Sequence, residues 1–303
     1  MTVLFSIATP TRNALIQLRR CVGSLRGQDG VAFEHLVQDA QSSDGSPQWL
    51  ASQAEQSLAL RPVSEPDSGM YDAINRAWSR STGRYLSWLN ADEQYLPGTL
   101  RRVQACFDAH PEIDAIFGDY LVVDAQGRAV ALRREIPLRR FYVANTFLYA
   151  QSCTLFYRRK LWESRLLQLD ASLRYAADKD LVLRLMQHGV RFMHLRHVLA
   201  LFGIDGTNLS THANMALEAE AVRLRHGGLR WRPLRGLAYG GRRLERLLRG
   251  AYGSTDVDYR FALDEIPQYA AFRAQGIGGR YSLSQTTGRA VRVDGVAESS
   301  RSL

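Results

Sequence analysis

The chain has 303 residues and a formal net charge of +9 at pH 7. Hydrophobic residues make up 46% of it and aromatic residues 10%, so it can bury a substantial core, which excludes a disordered protein. A chain of this length fits one large α/β domain with an appendage, or two small domains.

The cysteines and the N-terminus exclude further classes. Cys21, Cys106 and Cys153 lie far apart and form no CxxC pair, so we expect neither a zinc site nor a disulfide framework, and a reducing cytoplasmic setting. The N-terminus lacks a basic region and reaches a turn at Pro10, so no signal peptide is predicted. No apolar run reaches the roughly 20 residues that a membrane-spanning helix needs.

The first half of the chain predicts strands that alternate with helices. Short apolar runs predict buried strands over residues 3–8, 35–38 and 85–89, and a weaker strand over 58–63, which contains Pro62. Helical spacing occurs over residues 15–25, from residue 47, and over residues 71–80. This alternation predicts βαβ units and an α/β fold with a mostly parallel sheet.

The second half is less regular. Residues 116–123 and 129–132 flank a hairpin-like turn. A helix is predicted to open at Asp178 and to end at Gly189, followed by two short strands over 192–195 and 198–202. After about residue 215 the periodicity is helical and basic. We therefore expect a catalytic domain over residues 1–212 and a basic helical extension over residues 213–303.

Polar side chains follow each predicted strand of the first half. They are Thr9 and Pro10 after the first, Asp39 after the second, Glu65 and Asp67 after the third, and residues 90–93 after the fourth. In parallel sheets, ligands bind beyond the carboxyl ends of the strands. These residues are therefore predicted to form one ligand site.

Two of these strand ends carry acids that suit a nucleotide ligand. Asp92 directly follows an apolar strand, and a rigid carboxylate there suits Mg²⁺ or Mn²⁺, which bind substrate phosphates with only one or two protein carboxylates. A helix N-cap explains such an acid equally well. Asp39 could accept a hydrogen bond from the imide N–H of a uracil, or it could form an Asx turn.

Two further groups of residues lie at predicted helix starts. Gly69 permits close approach of a ligand to the backbone, and Asp72 and Asn75 lie on one helix face, although a well-capped helix explains part of this run. Asp178 and Asp180 are two residues apart and so point in different directions. One could enter a site while the other pairs with Arg184; compensation of the helix dipole is the alternative.

Taken together, these motifs resemble the family 2 glycosyltransferases with the GT-A fold, and in particular the bacterial polysaccharide-biosynthesis branch related to colanic-acid enzymes. The resemblance covers roughly residues 3–210. Its motifs lie in residues 7–13, 38–46, 64–75, 82–93 and 175–185.

The resemblance implies a metal-dependent enzyme that moves a sugar from a nucleotide-diphosphate sugar, with UDP as the expected nucleotide, and inverts its anomeric carbon. Asn90 stands at the first position of the family's Asp-x-Asp metal motif and Glu93 replaces a trailing Asp, so the Mn²⁺ or Mg²⁺ role passes to Asp92. Asp178 matches the family's general base. The implied donor-binding residues are Thr9, Pro10, Arg12, Asp39, Asp67, Gly69, Asp72, Asn90 and Ala91.

The basic charge is concentrated in one segment. Residues 223–249 contain nine arginines and one acid, Glu245. Leucines and aromatic residues are interleaved with the arginines, and Pro233 and Gly240–Gly241 are predicted to divide the run into two short amphipathic helices. Such helices suit the interface of an anionic membrane, although the leucines could instead pack on the catalytic domain. With the family resemblance, this segment predicts a lipid-linked saccharide acceptor and a peripheral position on the inner face of the cell membrane.

Three other classes of protein were weighed against this prediction. A dinucleotide-binding oxidoreductase needs G-x-G-x-x-G after the first strand, and residues 8–13 contain no glycine. A nucleic-acid binder would need a recognisable binding module, so no nucleic-acid partner is expected. A nucleotidyltransferase, or another nucleotide-binding α/β enzyme, is the remaining alternative, although the glycine-rich first loop of the nucleotidyltransferases is absent.

Overall fold

The structure, a computed structural model, describes residues 3–204, 213–264, 268–279 and 290–292. Strands and helices alternate at the start of the chain, as predicted: β1 (Phe5–Thr11), α1 (Leu15–Arg26), β2 (Phe33–Asp39), α2 (Ser46–Gln56), β3 (Leu60–Ser64), α3 (Met70–Ser79) and β4 (Tyr85–Trp88). The chain continues through β5 (Glu93–Tyr95), α4 (Thr99–Ala109), β6 (Ala115–Asp124), β7 (Ala129–Arg133), α5 (Arg140–Asn145), β8 (Phe156–Arg158), α6 (Lys160–Glu163), α7 (Ala177–Gln187) and β9 (Phe192–Ile204).

These strands form one nine-stranded sheet in the order β3-β2-β1-β4-β8-β6-β9-β5, with β7 paired to β6. The first four strands of this order run parallel to one another. β8 is antiparallel to both β4 and β6, whereas β6 and β9 are parallel. The predicted α/β class is confirmed. The parallel register places Thr11, Asp39 and Ser64 side by side at the carboxyl edge.

Helices cover the parallel strands, which is why these strands read as continuous apolar runs rather than alternating ones. All seven residues of β1 are buried. On α3, the face predicted from helical spacing is buried, and its Trp78 ring lies 5.5 Å from that of Trp88 on β4. The Trp78 indole also donates a hydrogen bond to the Ser87 carbonyl at 3.1 Å. These contacts hold α3, and the polar loop that precedes it, against the sheet.

The hairpin of β6 and β7 and the helix α7 agree with the sequence predictions. The prediction of two short strands over residues 192–195 and 198–202 is wrong, because a single strand, β9, covers both segments. The register of β9 on β6 passes from Leu195 to Val198, so two residues bulge between the halves. Those two, Arg196 and His197, are the polar residues that interrupt the apolar pattern.

The C-terminal part contains more than helices. α8 (Ala213–Arg225) and α9 (Arg232–Leu248) are followed by a three-stranded antiparallel sheet of β10 (Thr255–Ala262), β11 (Tyr269–Ile277) and β12 (Ala290–Arg292). The prediction of a purely helical extension is therefore wrong. The missed signal is the period-two alternation of Val257, Tyr259 and Phe261. Phe261 packs in a cluster with Leu121 of β6 and Leu201 of β9.

The boundary predicted at residue 212 lies in 205–212, outside the described residues, so the division into residues 1–212 and 213–303 stays a prediction. α9 runs through Gly240–Gly241 without a break, contrary to expectation, and Pro233 lies in its first turn, where its missing N–H has no cost. The actual interruption lies between α8 and α9. No helix in the described ranges is both long and apolar enough to cross a bilayer.

Candidate active site

Asp39 lies at the end of β2 and is held by the loop that follows it. Its carboxylate accepts hydrogen bonds from the Ser42 backbone N–H at 3.0 Å, the Ser42 hydroxyl at 2.5 Å and the Ser64 hydroxyl at 2.5 Å. The Asx-turn alternative is thus present in the structure. One oxygen, Oδ1, receives a single bond, so it has the capacity to accept another donor. Asp39 itself is fully buried.

Two buried polar atoms on neighbouring strands lack partners. Thr11 Oγ1, at the end of β1, and Asn90 Oδ1, just beyond β4, make no hydrogen bond within the described part of the chain. Buried polar groups are almost always paired, so each such exception requires an explanation. Because β1 and β4 are adjacent and parallel, both atoms belong to the same edge of the sheet. A polar ligand bound at this edge would satisfy them.

Thr9 and Pro10 are buried within β1 rather than lying beyond it. The Thr9 hydroxyl donates to the Leu89 carbonyl at 2.7 Å and lies 2.8 Å from His35 Nε2. Burial lowers the pKa of His35 to about 3, so this imidazole is neutral at physiological pH. The Thr9 side chain thus ties β1 to its neighbours, and the structure lends no support to a direct contact between its hydroxyl and a nucleotide.

The loop between β3 and α3 is organised by its own acids. Asp67 accepts a hydrogen bond from the Gly69 N–H at 2.9 Å, and Asp72 accepts one from the Ser68 N–H at 2.9 Å. Arg76 forms an ion pair with Asp72 at 3.0 Å. The capped-helix alternative therefore explains the position of Asp72.

Gly69 and Asp67 keep features that suit ligand contact. Gly69 has φ +124°, a backbone conformation that favours glycine, and a Cβ placed there would meet no atom within 4 Å. Burial raises the pKa of Asp67, while the nearby positive charges of Arg76 and Arg12 lower it. The structure thus places Asp67 within electrostatic range of Arg12, and leaves open space at Gly69.

Residues 90–92 form a turn that leads from β4 into Glu93, the first residue of β5. Glu93 is fully buried and accepts a hydrogen bond from the Asn90 N–H at 2.8 Å. Burial, and then the charge of Asp92, raises the pKa of Glu93. Ala91 is buried. Asp92 is half-buried and lines a cavity of about 50 Å³ together with Arg20.

These residues fit a divalent metal only if the substrate supplies ligands too. Across the described ranges, no group of three or more His, Cys, Asp or Glu side chains is placed to hold a metal ion. Mg²⁺ and Mn²⁺ commonly bind through one or two carboxylates plus substrate phosphates. Asp92 and the unpaired Asn90 Oδ1 are hard oxygen donors of this kind, two residues apart in one turn.

Asp178 lies in the first turn of α7, where its carboxylate accepts a hydrogen bond from the Lys179 N–H at 2.7 Å. Burial raises the pKa of Asp178 to about 6. Burial, and then the charge of Asp178, raises the pKa of the Tyr71 hydroxyl on α3. The motif that starts α3 and the predicted base are therefore neighbours, although they lie about a hundred residues apart in sequence.

Asp180 has a different environment. It is buried, 2.9 Å from His226 Nε2 and 3.1 Å from an Arg225 nitrogen. The predicted ion pair with Arg184 is present, at 3.8 Å. Asp180 therefore joins α7 to α8, whereas Asp178 makes no such ion pair and its pKa is raised by burial.

Gly203 shapes the turn that contains Asp92, and its role was not predicted from the sequence. A Cβ at Gly203, on β9, would lie 2.6 Å from the Asp92 carbonyl oxygen, so only glycine allows β9 to pass this close. A lone glycine inside a strand pattern was the available signal.

Comparison with known proteins identifies the family of the chain. The model of the family described as glycosyl transferase family 2 matches residues 6–165, more than half of the chain. A PGL/p-HBAD biosynthesis glycosyltransferase of Mycobacterium tuberculosis is 34% identical over 122 residues, which cover 39% of this chain. The match covers 47% of the mycobacterial protein, about half of its length. The succinoglycan biosynthesis protein ExoO of Rhizobium meliloti is 26% identical over 95% of this chain and 91% of its own.

Solved structures share the fold. Staphylococcus aureus TarS in complex with UDP-GlcNAc superimposes with a TM-score of 0.60 at 17% identity, covering 81% of this chain and 73% of TarS. The mannosyltransferase PcManGT of Pyrobaculum calidifontis, in complex with GDP-Man and Mn²⁺, gives a TM-score of 0.57 at 19% identity, covering 79% and 69%. The central α/β fold is that of the GT-A glycosyltransferases.

Proposed function

Because the chain belongs to glycosyl transferase family 2, we propose that it transfers a sugar from a UDP-sugar to a hydroxyl of a saccharide acceptor, with inversion at the anomeric carbon. The observation that carries this proposal is the pair of unpaired buried atoms, Thr11 Oγ1 and Asn90 Oδ1, at adjacent strand ends. They lie at the edge where parallel α/β sheets bind nucleotides.

The donor contacts follow from the geometry of this edge. Asp39 Oδ1 has room for one more hydrogen-bond donor and would accept the imide N–H of uracil. Arg12 and the open backbone at Gly69 would meet the rest of the donor. TarS has been solved with UDP and with UDP-GlcNAc, which supports a uridine nucleotide, whereas PcManGT binds GDP-Man.

The chemical step is an in-line displacement. The acceptor oxygen forms a bond to the anomeric carbon while the bond from that carbon to the diphosphate oxygen breaks. Asp178 takes the proton of the acceptor hydroxyl, since its carboxylate has the raised pKa that suits a general base near neutral pH. The negative charge leaves with the nucleoside diphosphate.

Asp92, with Asn90 Oδ1, would hold a Mn²⁺ or Mg²⁺ ion at the diphosphate. When bound there, such an ion supplies Lewis-acid stabilisation for the charge that develops on the leaving group. Glu93 stays outside this set because its side chain is fully buried and its carboxyl already accepts the Asn90 backbone N–H. The role of Glu93 is to stabilise the turn that contains Asp92.

The acceptor proposed here is a lipid-linked saccharide of surface polysaccharide synthesis, with the enzyme peripheral on the inner face of the cell membrane. The names of its relatives support the polysaccharide part: ExoO is a succinoglycan biosynthesis protein and RfbC of Myxococcus xanthus is an O-antigen biosynthesis protein. The basic C-terminal segment supports the membrane part.

The test is a binding and turnover experiment with purified full-length protein. With Mn²⁺ present, UDP-sugars should raise the melting temperature and GDP-sugars should not. EDTA should abolish transfer, and Asp92→Ala should abolish it at every Mn²⁺ concentration. Full activity of Asp92→Ala in chelator would contradict the metal role, and stabilisation by GDP-sugars alone would contradict the donor class.

A further inference from the structure

An ordinary surface helix buries its leucines and exposes its arginines. Helix α9 does the opposite. Arg242 and Arg246 are 7% and 3% exposed, whereas Leu237, Leu244 and Leu248 are 64%, 56% and 78% exposed. Those leucines, at i, i+7 and i+11, share one face of the helix. The arginines, four residues apart, share another.

The arginine face is fastened to the protein by specific partners. Arg242 forms an ion pair with the buried Glu135 at 2.8 Å, and its guanidinium lies 4.5 Å from the centroids of the Phe147 and Tyr149 rings. Arg246 donates to the Arg134 carbonyl at 2.9 Å. These contacts leave α9 no freedom to turn its leucines inward, so the apolar face is held toward solvent.

Several large apolar side chains on α9 and just before it are exposed, and we call them the α9 face: Trp231, Leu234, Leu237, Tyr239, Leu244, Leu247 and Leu248. Exposed apolar surface on this scale marks an interaction site. Arg230, Arg243 and Arg249 are exposed around it. The one acid, Glu245, is neutralised by Arg139 at 2.6 Å and Arg249 at 3.0 Å.

We propose that the α9 face inserts into the headgroup region of an anionic bilayer, with its leucines and Trp231 among the acyl chains and the exposed arginines on lipid phosphates. Charge complementarity selects this occupant over a second copy of the chain. In a two-fold dimer the same basic rim would meet itself, and like charges would oppose each other. An anionic bilayer accepts both the apolar centre and the basic rim.

The α9 face is connected to the proposed base through α5. The Leu229 N–H, just before α9, donates to Asn145 Oδ1 of α5 at 2.7 Å. The next residue, Thr146, accepts from Lys179 Nζ at 3.2 Å, and Lys179 directly follows Asp178. Docking through the α9 face would therefore hold the start of α7 close to the membrane, where a lipid-linked acceptor presents its saccharide.

This proposal rests on the proposed function for its purpose, but its test needs no catalysis. The full-length protein is sedimented with vesicles of neutral phosphatidylcholine, and with vesicles that also contain phosphatidylglycerol. The parent should bind the anionic vesicles strongly. The variant L237Q/L244Q/L248Q should bind vesicles more weakly, by about tenfold or more for each leucine that inserts. The variant R230Q/R243Q should bind anionic vesicles more weakly, by about fivefold for each arginine, and should bind neutral vesicles like the parent.

Controls separate docking from folding and from function. Leu58 is 97% exposed on the α2–β3 turn, so Leu58→Gln is the matched change outside the α9 face and should bind vesicles like the parent. Melting temperature and UDP binding of the triple variant should equal those of the parent. Undiminished vesicle binding by that variant would overturn the proposal. So would a lipid-free dimer in light scattering that this variant abolishes, since the face would then join two copies.

Discussion

The carboxyl edge of β1–β4 and the helix α9 show two different relations between sequence pattern and structure. At the edge, Asp39, which was predicted to lie there, is in register with Thr11 and Ser64, whereas Thr9, predicted beside it, is buried within β1. In α9 the sequence pattern of apolar and basic stripes is equally clear. Here, however, the basic stripe is buried and the apolar stripe is exposed.

The difference comes from how many arrangements each pattern allows. The carboxyl ends of parallel strands lie at the same edge of a sheet. The polar residues that follow these strands must therefore lie at that edge. An amphipathic helix has two usable faces, and the partners on the protein select which one is buried. For α9 those partners are the carboxylate of Glu135 and the rings of Phe147 and Tyr149, which bind arginines rather than leucines.

The largest expected effect tests the acid that the fold brings to the site. Asp178→Asn keeps the shape of the side chain but cannot take the proton, so kcat should fall by roughly 10²–10⁴-fold with UDP binding preserved. Steady-state kinetics and calorimetry measure the two quantities. Asp180→Asn should act mainly on thermal stability, because Asp180 bonds to His226 and Arg225. A larger loss of kcat per folded molecule in Asp180→Asn than in Asp178→Asn would reverse the assignment.

Two neighbouring arginines test the orientation of α9. Arg242→Gln leaves the buried Glu135 without its closest cation and should lower the free energy of unfolding by about 3–5 kcal/mol. Arg243→Gln changes an exposed side chain and should alter that free energy by about 0.5 kcal/mol or less. Chemical denaturation of both variants measures the difference. Equal stability losses would mean that α9 does not bury Arg242.

At the strand edge, a smaller effect separates structure from nucleotide binding. Asp39→Ala removes the acceptor of three hydrogen bonds, so it should lower the free energy of unfolding by about 1–3 kcal/mol and also weaken UDP binding. Ser64→Ala removes one of those bonds and keeps the carboxylate, so it should cost about 1 kcal/mol with UDP affinity unchanged. If both variants bind UDP like the parent in calorimetry, Asp39 is only a structural residue of the turn.

The smallest effect is the pH dependence of turnover. A general base must be deprotonated, and burial raises the pKa of Asp178 to about 6. Activity should therefore be full above this pH, and kcat/KM should fall by about tenfold for each pH unit below it. The profile of Asp178→Asn should lack this limb. A parent profile that stays flat down to about pH 4 would show that the base is an unshifted carboxyl.

Much of the catalytic half could be predicted from the sequence alone. The buried strands, the helices α1–α3, the hairpin of β6 and β7 and the start of α7 follow from local periodicity, and the family follows from the ordered motifs between residues 7 and 185. These features depend on side chains that are close in sequence. The pairing of Asp180 with Arg184 was predictable for the same reason, since i and i+4 are neighbours on any helix.

Only the tertiary structure decided the features that depend on distant partners. Thr9 faces inward because the Leu89 carbonyl and His35 meet it there, and the pKa of Glu93 is raised because the protein buries it beside Asp92. The strands β10–β12 were missed because their apolar residues pack on β6 and β9, far away in sequence. In α9, periodicity determined the two stripes. Glu135, more than a hundred residues earlier, determined which one faces water, because a buried carboxylate must have a cation beside it.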